Sequence, residues 1–207
     1  MGRIRLAGII VASIFAMAIG YWLASFDIVN PTPGFQGSLL DPPRRIAVPT
    51  LVKDDGTAFT EDDISGHWSL MFFGYTHCPD VCPVALSALA AAKKAADDYF
   101  PGREFPRVIF VSVDPERDTT ALLHDYVRYF DPDFTGVTGD EKMIQALTLQ
   151  MSVVYMKVPS EGSDNDYLVD HSSAIMLLNP EGKLAAFLQP PHSAKSLLDS
   201  LNKIIHE

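Results

Sequence analysis

Cys78 and Cys82 are the only two cysteines of a 207-residue chain, and they stand in Gly74-Tyr-Thr-His-Cys78-Pro-Asp-Val-Cys82-Pro83. A thiolate is the species that either ligates a soft metal or attacks a disulfide, so a lone pair at this spacing points to one of those two chemistries. Three residues separate the sulfurs, one more than in a Cys-x-x-Cys redox motif, and both can converge on one ion as well as bond to each other. A purely structural disulfide is a poor explanation, because closing so short a loop constrains the unfolded chain least.

Each cysteine precedes a proline, which disfavours the helical conformation for the residue before it. The sequence therefore predicts both cysteines on a looped approach, with Pro83 as the first helical residue. Amides at the helix start would then face the sulfurs and lower the pKa of Cys82 above all. Soft thiolates suit Cu(I), zinc or iron–sulfur iron, and two cysteines need a further ligand. His171, in Asp170-His-Ser-Ser173 ahead of an apolar run, is the best candidate. His77, beside Cys78, reads as an exposed loop residue and stays outside the ligand set. Asp80 and Asp114 follow in motif order closely enough to hold a ligand or balance charge, although Asp114-Pro115 is also an ordinary turn signal. His67, His124, His192 and His206 read as surface residues, and the methionines at 71, 143, 151, 156 and 176 as core.

The elements that must position these groups follow from periodicity. Residues 69–75 (SLMFFGY) form a continuous apolar run, as a strand buried on both faces requires, and the cysteine motif lies between it and an Ala-rich helix over 83–99. That junction is where α/β proteins place ligand sites. Residues 107–113 make a second buried strand. Asp118 or Thr119 caps a helix with Leu122, Leu123, Tyr126, Val127 and Phe130 on one face, and Asp140 starts another with Met143, Ile144, Leu147 and Met151. Residues 152–158 read as a strand and 161–166 as a polar loop. Asp55-Gly56 turns an N-terminal hairpin over 49–60, and Asn179-Pro-Glu-Gly182 turns a second one. Ser193 caps the last helix, which carries Leu197, Leu198, Leu201, Ile204 and Ile205 as an apolar stripe. Strands alternating with helices predict a mixed α/β sheet covered on both faces, for which a thioredoxin-like arrangement fits the order.

Leu6 to Phe26 carries no charge, and 21 such residues at about 1.5 Å each match the thickness of a bilayer's hydrocarbon core. Arg3 and Arg5 before it and Asp27 after it hold the N-terminus in the cytoplasm, so the expectation is a single-pass anchor in a bacterial inner membrane with the soluble part in the periplasm. The chain then divides into an anchor (1–26), a flexible Pro- and Gly-rich spacer (27–48) and one folded domain (49–207). Net charge is −10; setting aside the +2 of Arg3 and Arg5 leaves −12 on residues 27–207. Such a surface repels nucleic acid and anionic headgroups and suits a metal cation or a basic partner.

Three ordered motifs, FFGYTHCPDVCP, VSVDPERDT and VDHSSAIMLLNPEG, together with the N-terminal anchor, resemble the Sco/SenC family along roughly residues 49–207. The resemblance implies a thioredoxin-like fold with an added hairpin and a loop before the histidine, and copper held as Cu(I) and Cu(II) by Cys78, Cys82 and His171. It also implies a copper chaperone that helps to build the dinuclear copper centre of cytochrome c oxidase subunit II. The alternative within the same resemblance is a thiol–disulfide oxidoreductase that reduces that subunit's cysteines, or those of other periplasmic copper or thiol proteins. One departure is visible: Thr120 stands where the family has proline after ERDT. At a helix start proline only preorganises the first turn, so little depends on it.

Overall fold

The computed structural model describes residues 13–20, 35–159 and 167–206. Two compact units are present, Met1–Pro33 and Gly34–Glu207. In the first, residues 13–20 are helical (α1), and the remainder of the expected anchor over Leu6–Phe26 lies outside the described residues. Among the described residues, no helix is long and apolar enough to cross a membrane.

The second unit runs β1 (Gly37–Arg45), β2 (Leu51–Lys53), β3 (Ala58–Phe59), β4 (Ser69–Gly74), α2 (Val81–Tyr99), β5 (Arg107–Ser112), α3 (Thr120–Phe130), β6 (Thr135–Gly139), α4 (Glu141–Gln150), β7 (Tyr155–Pro159), β8 (Tyr167–His171), β9 (Ile175–Leu178), β10 (Lys183–Leu188) and α5 (Ala194–His206). Eight strands form one mixed sheet in the order β1-β10-β9-β4-β5-β6-β2-β3, while β7 and β8 pair with each other alone. β4, β5 and β6 are parallel neighbours, and the other pairs are antiparallel. All six residues of β4 are buried, as its unbroken apolar run requires of a strand covered on both faces. α2 lies against α5, and α3 and α4 against β6. The mixed sheet with flanking helices is thus present as expected.

Capping follows the sequence closely. Thr119 Oγ1 accepts from Leu122 N, Asp140 Oδ1 accepts from Lys142 N, and Ser193 Oγ accepts from Ser196 N at the starts of α3, α4 and α5. The Asp55-Gly56 hairpin joins β2 to β3, with Gly56 at φ +83° where a side chain would be strained. Met71, Met151 and Met176 are buried as expected, but Met156 is 61% exposed on β7 and is no core residue.

Several assignments need correction. Residues 37–45 are not spacer: they form β1, an edge strand that pairs with β10 and slips register between Leu39 and Arg44. Residues 27–34 of the spacer lie outside the described residues, as does the expected polar loop at 161–166, and 35–36 and 46–48 flank β1 without regular structure. β6 and β8 are strands that periodicity did not reveal. Of the expected strand over 152–158, only the part from Tyr155 pairs, and it pairs with β8 rather than joining the main sheet.

Candidate metal centre

β4 ends at Gly74, and the chain turns at once: Cys78 N donates to Tyr75 O at 3.2 Å. α2 begins at Val81, with Asp80 in the N-cap position. Cys82 therefore sits within the first helical turn rather than on a loop before it. Proline is tolerated at Pro83 because first-turn amides have no carbonyl partner to lose. The placement sends the Cys82 side chain inward, where it is fully buried, while Cys78 stays at the rim with 9% exposure. Gly74 is what gives Cys82 room: a Cβ there would lie 2.5 Å from Cys82 Sγ and 2.8 Å from the Phe110 ring.

His171 arrives from the opposite side as the last residue of β8. Its ring stands edge-on to Tyr75 (6.0 Å between centroids, 89°) and to Phe72 (6.1 Å, 70°). His171 Nδ1 lies 3.1 Å from Ser172 O, a contact that orients the ring and turns Nε2 toward the sulfurs. Nε2 is 3.3 Å from Cys82 Sγ. Cys78, Cys82 and His171 offer ligand atoms that all lie within 4.8 Å of one another. Two sulfurs and one imidazole nitrogen converging from three elements can hold a soft ion, and the donor set suits copper or zinc better than hard cations.

The sulfurs divide one proton unequally. Cys78 is pulled down to about 3, chiefly by a hydrogen bond from the Cys82 thiol and against the opposing effect of burial, with a hydrogen bond to His171 and the backbone N–H groups of Asp80 and Cys82 adding to it. Cys82 is pushed well up by that same bond and by burial. Helix-start amides do stabilise a thiolate here, but it is Cys78, not the expected Cys82, because Cys82 points into the core. The lowered value keeps the thiolate as acid is added, until the pH falls through about 3. Alkylation of Cys78 in the reduced protein should accordingly stay nearly constant from about pH 8 to about pH 5, whereas an ordinary thiol slows about tenfold per unit over that range. Cys82 should remain unlabelled. A rate that falls with acid like a free thiol's would overturn the assignment, as peptide mapping of the label would show.

His77 has a half-exposed side chain, lies 3.0 Å from Thr76 Oγ1, and is not among the converging residues. Asp80 is exposed and makes no side-chain capping bond. Asp114 is fully buried, bonded to Tyr167 Oη at 2.7 Å and paired with Arg117. His124 pairs with the buried Asp54 at 3.2 Å, and His192 reaches Ser173 O at 2.8 Å, so neither is a bare surface residue. The His206 side chain lies outside the described residues. Sequence reasoning treated Asp118 only as a helix cap and passed over Thr76, Tyr75, Arg117 and Tyr167. The available signal was a run of charges, Asp114 to Asp118, placed just after a strand with the apolar core Val108–Val111.

The family model described as SCO1/SenC matches residues 45–206. "Protein SCO1 homolog 1, mitochondrial" of Arabidopsis thaliana is 40% identical over 163 residues, which cover 76% of this chain but only 46% of that protein's own length. The crystal structure of Arabidopsis thaliana ScoI with copper bound shares 40% identity and a TM-score of 0.70, covering 77% of this chain and 98% of that one. Bradyrhizobium japonicum ScoI with copper bound shares 34% identity and a TM-score of 0.66, covering 77% and 99%.

Proposed function

The chain belongs to the SCO1/SenC family, and from that premise we propose that it binds copper, as Cu(I) and Cu(II), through Cys78, Cys82 and His171 and passes it on during assembly of cytochrome c oxidase. The observation that carries the copper site is the convergence of two sulfurs and one imidazole nitrogen within 4.8 Å. Copper-bound ScoI structures from a plant and a bacterium support the choice of metal. BsSco is a member of the Sco family of cytochrome c oxidase assembly proteins, which supports the pathway. Within that reading the recipient is the dinuclear copper site of subunit II. The apolar Leu6–Phe26 segment anchors the protein in a bacterial inner membrane, with the copper domain in the periplasm.

Copper here is cargo, and the site is built to release it. Cys78 lies at the rim, so an incoming partner thiolate can add to the ion there before Cys82 and His171 let go. Anaerobic titration of the reduced protein should reach one copper per chain. No uptake, or uptake unaffected by prior alkylation of Cys78, would sink the proposal.

A second reading is favoured by the unequal sulfurs, one thiolate and one thiol. Cys78 attacks a partner disulfide and forms a mixed disulfide, and Cys82 then displaces the partner's remaining sulfur. The protein ends with a Cys78–Cys82 disulfide, and the partner gains two thiols. The two readings share the cysteines and divide over His171.

A further inference from the structure

The stretch after β5 holds two carboxylates with no exposed side-chain surface, Asp114 and Asp118, and neither belongs to the converging Cys–Cys–His group. Asp118 faces the cysteine arm. Its Oδ2 accepts from Thr76 N at 3.0 Å and from Ser112 Oγ at 2.6 Å, and its Oδ1 accepts from Thr76 Oγ1 at 2.6 Å. Thr76 lies two residues before Cys78 in the turn that leaves β4. Asp114 faces the histidine arm. Its Oδ1 accepts from Tyr167 Oη, and its partner Arg117 donates from Nη1 to Tyr167 O at 3.0 Å while its guanidinium stacks 3.7 Å from the centroid of the Tyr167 ring. Tyr167 opens β8, and His171 closes it.

We propose that Asp118 and Asp114 are positioning residues for the metal centre, Asp118 setting the cysteine arm and Asp114, through Arg117 and Tyr167, setting the histidine arm. The assignment of separate arms follows from connectivity. Among the described residues, no side-chain hydrogen bond of Asp118 reaches β7 or β8 and none of Asp114 reaches the turn carrying Thr76. The two meet only behind the site, where the Ser112 hydroxyl donates to Asp118 and accepts from Asp114 N and Asp118 N donates to Asp114 O, while Arg117 lies 5.6 Å from the Tyr75 ring centroid. β8 belongs to a two-stranded sheet of its own and has no ladder to the main sheet. The tie through Tyr167 therefore supplies a register that backbone pairing with the core does not. A buried carboxylate accepting several hydrogen bonds fixes its donors, and an amide in its place keeps one acceptor oxygen while turning an N–H donor toward groups that also donate.

The histidine half of this proposal rests on the copper reading given above; the cysteine half does not. Two equilibria therefore separate them in the full-length protein. The first is copper affinity by chelator competition. The second is the metal-free cysteine couple against glutathione, in which protein dithiol and oxidised glutathione give protein disulfide and two reduced glutathiones. Asp118→Asn should move the couple's equilibrium constant by about tenfold or more and weaken copper binding as well. Asp114→Asn should weaken copper about 10- to 100-fold, the usual cost of losing an outer partner of a ligand, and leave the couple within about twofold of wild type. It should also alter the nitrogen hyperfine pattern of the Cu(II) electron paramagnetic resonance spectrum.

Thr76→Val and Tyr167→Phe each remove one hydroxyl donor and leave the buried carboxylates themselves in place. They should shift the same quantities in the same directions by less, and they stand in if either carboxylate variant fails to fold. Both arms moving both equilibria alike would reduce the two aspartates to general scaffold and overturn the proposal, as would neither arm moving either. Wild-type protein that takes up no copper would sink the copper reading, and the couple alone would then decide Asp118.

Discussion

His171→Ala should lower Cu(II) affinity by at least about 100-fold, beyond the 10- to 100-fold that loss of an outer partner costs a metal site, while thiol–disulfide exchange by Cys78 and Cys82 continues at close to the wild-type rate. The ring is the only nitrogen donor of the converging group, and a divalent copper ion, which prefers nitrogen and oxygen ligands in tetragonal geometry, depends on it most. Cu(I) is softer and is satisfied better by the two sulfurs that remain, so its loss should be smaller. His171 is a lesser partner of the Cys78 sulfur than the Cys82 thiol is, and the backbone of the turn is held by Tyr75 O and by Asp118 through Thr76. The cysteine chemistry should survive for that reason. Chelator competition in both oxidation states, beside the rate of reduction of a small disulfide, tests the pair of claims together. Unchanged copper affinity and stoichiometry would end the three-ligand model; wild-type oxidase assembly in cells carrying the variant would move the balance to the reductase reading.

How far such a site can be read in advance depends on which forces place each residue. β4, β5 and the three described domain helices after α2 were legible because burial and capping are written in local periodicity: six buried residues in a row, or an apolar stripe behind a Thr, Asp or Ser cap. β1 was not, since Asp41-Pro42-Pro43 looks like a breaker. At a sheet edge a register slip accommodates the prolines, whose missing amides would be needed only in a central strand. β6, with the sequence TGVTG, looks like a turn, yet its glycines answer to close neighbours: a Cβ on Gly136 would meet Leu123 Cβ at 3.0 Å, and one on Gly139 would meet Leu51 Cδ2 at 2.6 Å. That is tertiary information, absent from the strand itself.

The site shows the same division. Two cysteines and a strand-to-helix junction mark a reactive pair, but nothing local tells which sulfur points inward. That was decided by one turn of helix starting two residues earlier than the prolines suggested. His171, 89 residues from Cys82, became a ligand candidate of weight only through the motif order of the family. Asp118 remained hidden behind its neighbour's role as a helix cap, because the partner that reveals it, Thr76, is 42 residues away.

Gly74→Ala should be strongly destabilising, and its effect should fall on the metal site as much as on the fold. The added Cβ would lie 2.5 Å from Cys82 Sγ and 2.8 Å from the Phe110 ring, closer than real Cβ contacts come, and both neighbours are fully buried. Neither can give way cheaply. The Phe110 ring is wedged against Phe72 and Tyr126, and Cys82 is fixed by the first turn of α2. Forcing a methyl group into such a core costs about 1–3 kcal/mol, which for a domain of this size lowers the melting temperature by roughly 2–4 °C per kcal/mol. Displacing Cys82 Sγ also spoils its approach to His171 Nε2, so copper affinity should fall together with stability. The two effects can be separated with Cys82→Ala, which removes the clashing sulfur. In that background the same substitution at Gly74 should cost at least about 0.5 kcal/mol less, a coupling expected only of residues in direct contact. Strict additivity of the two changes in thermal unfolding would show that the room Gly74 leaves is not room for the sulfur.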